Sequence, residues 1–214
     1  MIKTDSSWNK IYKKGLHLNE YPYEWVVGNT KKIFPNPKKK NVLDLGCGAG
    51  NHLQFFLNHN FNFITAIDGS KNIIKFTKKK LKNSKKIEFI NKNILINKFR
   101  SNFYDLILDR MTITHNDKKD INNLANNLYL SLKKNGYLFS ICFSKKHNEY
   151  NRFKDKGIFF KNVNKDGGIK SSFLDSKEIK NIYKKFKIIS IIEEVKTDIV
   201  SKEKYAAWYL ILKK

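Results

Sequence analysis

The 214-residue chain reads as a single α/β domain built on a doubly wound, mostly parallel sheet of seven strands that ends in an antiparallel hairpin. Three observations predict this. Short runs of β-forming residues alternate with helical patterns, three closely spaced glycines follow the first run, and the last two runs lie too close together for a crossover helix. Strands that alternate with helices pair in parallel through right-handed crossovers and carry helices on both faces of the sheet.

A polar, aromatic-bearing opening occupies residues 1–34, and Pro35, Pro37 and the lysines 38–40 form the loop into the first strand. The first five strands are read at 41–45 (NVLDL), 61–67 (FNFITAI), 86–90 (KIEFI), 104–108 (YDLIL) and 136–143 (GYLFSICF). Helices are read at 51–58 and 70–81. The clearest follows Ile121, Leu124, Ala125, Leu128 and Leu132, an apolar face at helical spacing that Asn135 and Gly136 should stop. Asp175 with Glu178 three residues on is a carboxylate capping box for a helix through Ile179, Ile182 and Phe186. The hairpin follows at 187–195 and 203–212. Residues 144–174 lack periodicity and are too long for a plain connection, as a substrate-capping insertion would be.

Composition sets the outer limits. No apolar run reaches the roughly 20 residues of a membrane span, and the N-terminal stretch lacks the apolar core of a secretory signal, so the cytoplasm is the expected compartment. Cys47 and Cys142 stand alone in apolar segments and make neither a disulfide framework nor a zinc site. The net charge of +24 raises nucleic acid as a partner, yet all but three of the 43 basic residues are lysine. Phosphate and base recognition favours the planar, bidentate guanidinium, and abundant Lys, Asn and Ile together match an A+T-rich coding bias.

The stretch LDLGCGAGNH puts Gly46, Gly48 and Gly50 directly behind a strand. Such a turn lets a ligand rest on bare peptide, since glycine accepts positive φ and has no side chain in the way. Asp44 is a carboxylate in a strand interior that needs a cationic or hydrogen-bonding partner, and Asp68 closes the second strand in AIDGS, where it can take both hydroxyls of a ribose. A dinucleotide fingerprint would need glycine at position 51, which is Asn51.

These residues closely resemble the cofactor motifs of class I S-adenosylmethionine-dependent methyltransferases, [D/E]-x-G-x-G-x-G with an acid closing the second strand. The resemblance runs from about residue 8 to the end. It implies a Rossmann-like methyltransferase fold whose last strand is inserted antiparallel, with S-adenosylmethionine as cofactor and S-adenosylhomocysteine as product. On the family's pattern Asp44, Gly46, Cys47, Gly48, Gly50 and Asn51 would hold the methionine part and approach the adenosine, while Asp68 and Gly69 would take the ribose. The acid that commonly meets the adenine amino group is replaced here by Asn93, whose amide oxygen can accept the same hydrogen bond, with Ile94 beside it. The opening segment matches the W-x-x-x-Y-x-x-G and Y-P-x-x-W patterns of small bacterial methyltransferases, which implies a lid carrying Trp8, Tyr12 and Trp25, with His17 and Glu20 facing substrate.

Methyl transfer needs in-line alignment, and a base only where the nucleophile carries a tightly held proton. The fourth strand ends LILDRMTITH, which brings Asp109, Arg110 and His115 to the methyl end. His115 is the candidate base or a helix-capping histidine, Arg110 orients an anionic substrate or pairs with Asp109, and His52 is read as a first-turn helix residue. DRMT stands where amino-group methylases of adenine, cytosine or glutamine carry [D/N/S]-P-P-[Y/F], and no Pro-Cys nucleophile occurs. The acceptor is therefore read as a small molecule, a saccharide or other metabolite methylated on O or N. RNA is the runner-up acceptor, and a non-catalytic cofactor-binding module is a third reading.

Overall fold

A computed structural model describes residues 3–82, 84–153, 160–161 and 169–214. Helices α1 (Lys3–Lys13) and α2 (Glu24–Ile33) precede an alternating core of β1 (Asn41–Leu45), α3 (Asn51–Asn58), β2 (Phe63–Asp68), α4 (Lys71–Lys80), β3 (Ile87–Asn91) and β4 (Tyr104–Arg110). A short 3-10 turn (Ile113–His115), α5 (Lys118–Ser131) and β5 (Leu132–Phe143) follow. Beyond β5 come α6 (Asn148–Phe153), the two-residue strands β6 (Phe160–Lys161) and β7 (Ile169–Lys170), α7 (Ser176–Ile182), β8 (Lys187–Thr197) and β9 (Lys204–Lys213).

The seven-stranded sheet has the order β3-β2-β1-β4-β5-β9-β8. Strands β1 to β5 pair in parallel, and β9 enters antiparallel between β5 and β8. Every residue of β1 is buried, as in a parallel strand covered on both faces. Side chains alternate across the sheet. Leu43, Leu45 and Ile107 pack with α5 and α7 on one face, while Val42, Leu106 and Leu108 pack with α2, α3 and α4 on the other. The chain runs from β1 outward to β2 and β3, then returns to β4 on the other side of β1. That reversal opens a crevice at the carboxyl end of β1.

Local chemistry sets the element ends. Ser70 caps α4 by accepting from the Ile73 amide, and the capping box of Asp175 and Glu178 is present in both directions. Some boundaries differ from the sequence reading: α7 ends at Ile182 rather than running through Phe186, β2 spans Phe63–Asp68 rather than 61–67, and the junction of α5 and β5 shifts. Helix α5 ends at Ser131, four residues before Asn135, and β5 begins at Leu132, whose pairing with Tyr104 is offset from the rest of the ladder. Asn135 takes a left-handed φ of 65° inside the strand rather than closing a helix. Of the insertion at 144–174, residues 154–159 and 162–168 lie outside the described residues. Among the described residues no helix is long and apolar enough to cross a membrane.

Candidate active site

The turn after β1 is held from both sides. The Cys47 amide donates to the Ile67 carbonyl at 3.0 Å, Thr77 Oγ1 donates to the Gly48 carbonyl at 2.7 Å, and Thr112 Oγ1 donates to the Leu45 carbonyl at 2.8 Å. Gly46 and Gly48 have φ of +69° and +48°. A Cβ on Gly46 would collide with Thr112, whereas one on Gly48 would meet only the Tyr12 hydroxyl at 3.4 Å. The first glycine admits a neighbouring side chain, and the second leaves its peptide bare.

This turn lines a cavity of about 280 Å³, close to the lower end of ordinary small-molecule sites. Thirteen of the residues proposed from sequence line it: Trp8, Tyr12, Asp44, Gly46, Cys47, Gly48, Asn51, Asp68, Gly69, Asn93, Ile94, Arg110 and His115. His17 and His52 line it too. Asp68 gathers the turn, accepting from the Gly48 amide on Oδ2 at 3.2 Å and from the Ser70 amide on Oδ1 at 2.8 Å. Asn93 lies beyond β3 and turns its own Oδ1 toward the Leu95 amide at 2.8 Å.

Four proposed residues lie elsewhere. Asp109 is fully buried on the opposite face of β4 from Arg110, where it accepts from Ser140 Oγ at 2.6 Å and from the Thr112 and Ile113 amides at 3.0 Å each. Consecutive strand residues point to opposite faces, so Asp109 and Arg110 cannot form the pair allowed for in the sequence. Burial pushes the Asp109 carboxyl up to about 6 against those three donors. Trp25 packs edge-on against Phe139 and Tyr209, at 5.6 and 5.5 Å between ring centres, because α2 lies on the sheet rather than over the cavity. Gly50 turns into α3 with φ +76° and packs against Thr77 instead of facing the cavity. Glu20 is exposed, and its neighbour Asn19 takes the wall position.

The electrostatics are set by burial. Asp44 is 2% exposed, and its Oδ2 has no hydrogen-bond partner among the described residues. Desolvation first, and then the Asp68 charge, push its carboxyl up to about 7, against a lowering by Arg110. An orphaned acceptor at a cavity wall fits a ligand that brings its own cationic donor. His52 is driven down to about 3 by burial and by Arg110, so its ring is neutral, and its Nε2 accepts the Tyr23 amide at 3.3 Å. His52 is thus a structural acceptor in the first turn of α3.

His115 forms part of the same wall. Its Nδ1 lies 3.2 Å from the Lys170 carbonyl and 3.1 Å from Ser171 Oγ. A neutral ring that donates from Nδ1 to that carbonyl carries its lone pair on Nε2. Trp8 packs edge-on to this ring at 5.1 Å and stacks on Tyr12 at 5.6 Å, so α1 lies over the cavity. Asn9 ties the helix down, its Oδ1 accepting from Ser70 Oγ at 2.8 Å.

Several wall residues had no local signal in the sequence. Phe143, Ile169 and Tyr205 come from β5, β7 and β9 and meet at the cavity only through the fold. Met111 and Thr112 follow β4 directly, and Met111 holds a left-handed φ of 61°, a strain typical of functional turns.

Residues 42–136, the span that builds the turn, both acid-bearing strand ends and β4, match the methyltransferase-domain family. Over that span the chain is similar to class I S-adenosylmethionine-dependent methyltransferases. The chain is 31% identical over 149 residues to phosphoethanolamine N-methyltransferase of Plasmodium falciparum, a match covering 62% of the chain and 56% of that relative. It thus spans little more than half the length of that relative. A protein of Acanthamoeba polyphaga mimivirus named as a probable mRNA-capping enzyme is 27% identical over 195 residues, covering 74% of this chain and 16% of its own length. Among solved structures, the 1,6-didemethyltoxoflavin-N1-methyltransferase of Burkholderia thailandensis, with that compound and S-adenosylhomocysteine bound, superposes with a TM-score of 0.71 at 13% identity, covering 98% of this chain and 86% of that one. At that identity the likeness carries the fold.

Proposed function

We propose that the protein moves the methyl group of S-adenosylmethionine to an oxygen or nitrogen of a small-molecule acceptor, a saccharide or other metabolite. The observation that carries this reading is the orphaned Asp44 Oδ2 in a lidded cavity that is also lined by the bare Gly48 peptide and by His115. Asp44 is suited to the ammonium of the cofactor, Asp68 to its ribose, and Asn93 with Ile94 to its adenine. The bound cofactor supplies a methyl group on a positively charged sulfur. The protein's part is to align the acceptor, to exclude water beneath Trp8 and Tyr12, and to receive a proton on His115 Nε2 where the acceptor must lose one. The Plasmodium and Burkholderia relatives are both named for small acceptors, which supports the same class here.

Purified protein titrated calorimetrically with S-adenosylhomocysteine should bind it, and Asp68→Ala should abolish binding. Unchanged affinity in that variant would remove the reading. Turnover on a panel of hydroxyl- and amine-bearing metabolites separates catalysis from a binding-only module.

An RNA acceptor is the second reading, favoured by the similarity to the mimivirus protein and by the net charge of +24. It requires RNA binding that weakens steeply with salt together with methyl incorporation into RNA. Tight, salt-insensitive turnover of a metabolite would exclude it.

A further inference from the structure

Asp44 and Arg110 stand on the same face of the sheet and line the same cavity. In the parallel ladder Asp44 is paired with Leu108, and Arg110 lies two residues further along β4, so both side chains project on the side of Val42, Leu106 and Leu108. Strand spacing and rise put the two Cα atoms about 8 Å apart. They do not form an ion pair with each other, and among the described residues no carboxylate lies within ion-pair distance of Arg110. The guanidinium instead sits 5.3 Å above the Tyr23 ring. That ring is itself fixed, its hydroxyl 2.8 Å from the Tyr209 hydroxyl and its backbone amide on His52 Nε2. Arg110 is thus a cation held on an aromatic platform with its planar fork unclaimed.

A buried carboxylate without a donor and a nearby guanidinium without an anion form a complementary pair for a single zwitterion. An α-amino acid carries its ammonium and carboxylate on one carbon, so two charged side chains that converge on the same space can hold both ends at once. An acceptor anion would instead be expected beside the candidate base, His115. The geometry points to Arg110 as the residue that holds the α-carboxylate of the cofactor's methionine part, opposite Asp44 at its ammonium, so that the pair reads the amino-acid head group. This assignment rests on the cofactor reading proposed above. It makes Arg110 a cofactor residue and leaves no fixed cation for the acceptor among the β4-end residues Asp109, Arg110 and His115.

The test compares two ligands and two variants by calorimetry, with no turnover needed. S-adenosylhomocysteine carries both head-group charges, and decarboxylated S-adenosylmethionine keeps the ammonium but lacks the carboxylate. Arg110→Met should weaken S-adenosylhomocysteine about tenfold to a hundredfold, the usual worth of a hydrogen bond to a charged group, and leave the decarboxylated ligand unchanged. Arg110→Lys should fall between, keeping charge without the bidentate fork. Equal weakening of both ligands in both variants would overturn the assignment in favour of a purely structural arginine. Unchanged cofactor affinity with a raised KM for the acceptor would overturn it in favour of acceptor recognition. If the unaltered protein binds neither ligand, the cofactor reading fails first and the assignment with it.

Discussion

Thr112 stands so close to Gly46 that a Cβ on the glycine would lie 2.8 Å from the threonine Cβ and overlap the rest of its side chain. Thr112 is fixed there by its bond to the Leu45 carbonyl, so the turn after β1 and the turn after β4 lock each other. Gly46→Ala therefore meets both a left-handed φ and a steric wall. We expect it to cost more than the 1–3 kcal/mol of backbone strain alone, read as a fall in urea midpoint. Gly48→Ala has strain but room, and should lose less stability while weakening S-adenosylhomocysteine in calorimetry. Equal stability losses in the two variants would contradict this division of labour.

Asp44 predicts a pH dependence with a definite sign. Its carboxyl is pushed up to about 7, so between the ordinary carboxylate range and pH 7 the ligand-free fold holds a proton that the unfolded chain has released. Its contribution favours the fold at low pH and is lost as pH rises through 7. Ligand binding runs the other way. The ammonium needs the ionised carboxylate, so affinity for S-adenosylhomocysteine should fall about tenfold per pH unit below 7 and level off above it. Asp44→Asn should flatten that profile, and a profile that stays steep in the variant would point to another group.

His115 is expected to act on rate. His115→Gln, which keeps a polar side chain near the Lys170 carbonyl, should lower turnover about 10²- to 10⁴-fold while leaving cofactor affinity within a few-fold. A loss confined to cofactor binding would instead make His115 a part of the Trp8 packing.

One side chain ties the lid to the start of α4. Asn9 Oδ1 accepts from Ser70 Oγ at 2.8 Å and from the Asn72 amide at 3.4 Å, joining α1 to the start of α4. Asn9→Ala removes about 1 kcal/mol, so hydrogen exchange across α1 should quicken roughly fivefold and ligand release should accelerate with it. Faster exchange without faster release would show that α1 does not gate the cavity.

The glycine turn, Asp44 and Asp68 were legible in sequence because each answers to a local rule. A strand followed by three spaced glycines has few uses, and a carboxylate at a strand end must find a partner. The hairpin at β8 and β9 was equally plain, since six residues cannot hold a crossover helix. Where two local rules competed, the sequence misled. Asn135-Gly136 reads as a helix stop, yet the chain had already left α5 at Ser131 to pair Leu132 with Tyr104. Trp25 shares its aromatic segment with the lid residues but packs under α2 on Phe139, a choice made by the face of the sheet rather than by the segment.

What the sequence determined by itself is therefore the periodic part: alternating strands and helices, the bare turn behind β1, and two acids at strand ends. Tertiary structure alone decided which side of each strand its charges occupy in space and what they meet there. It put Asp109 among Ser140 and two amides in the core, left Arg110 on Tyr23 across from Asp44, and brought Phe143, Ile169 and Tyr205 to one wall. The physical reason is range. Propensity, capping and glycine φ act within a few residues of chain, whereas desolvation and charge pairing act through contacts between strands that are distant in sequence and adjacent only once the sheet has formed.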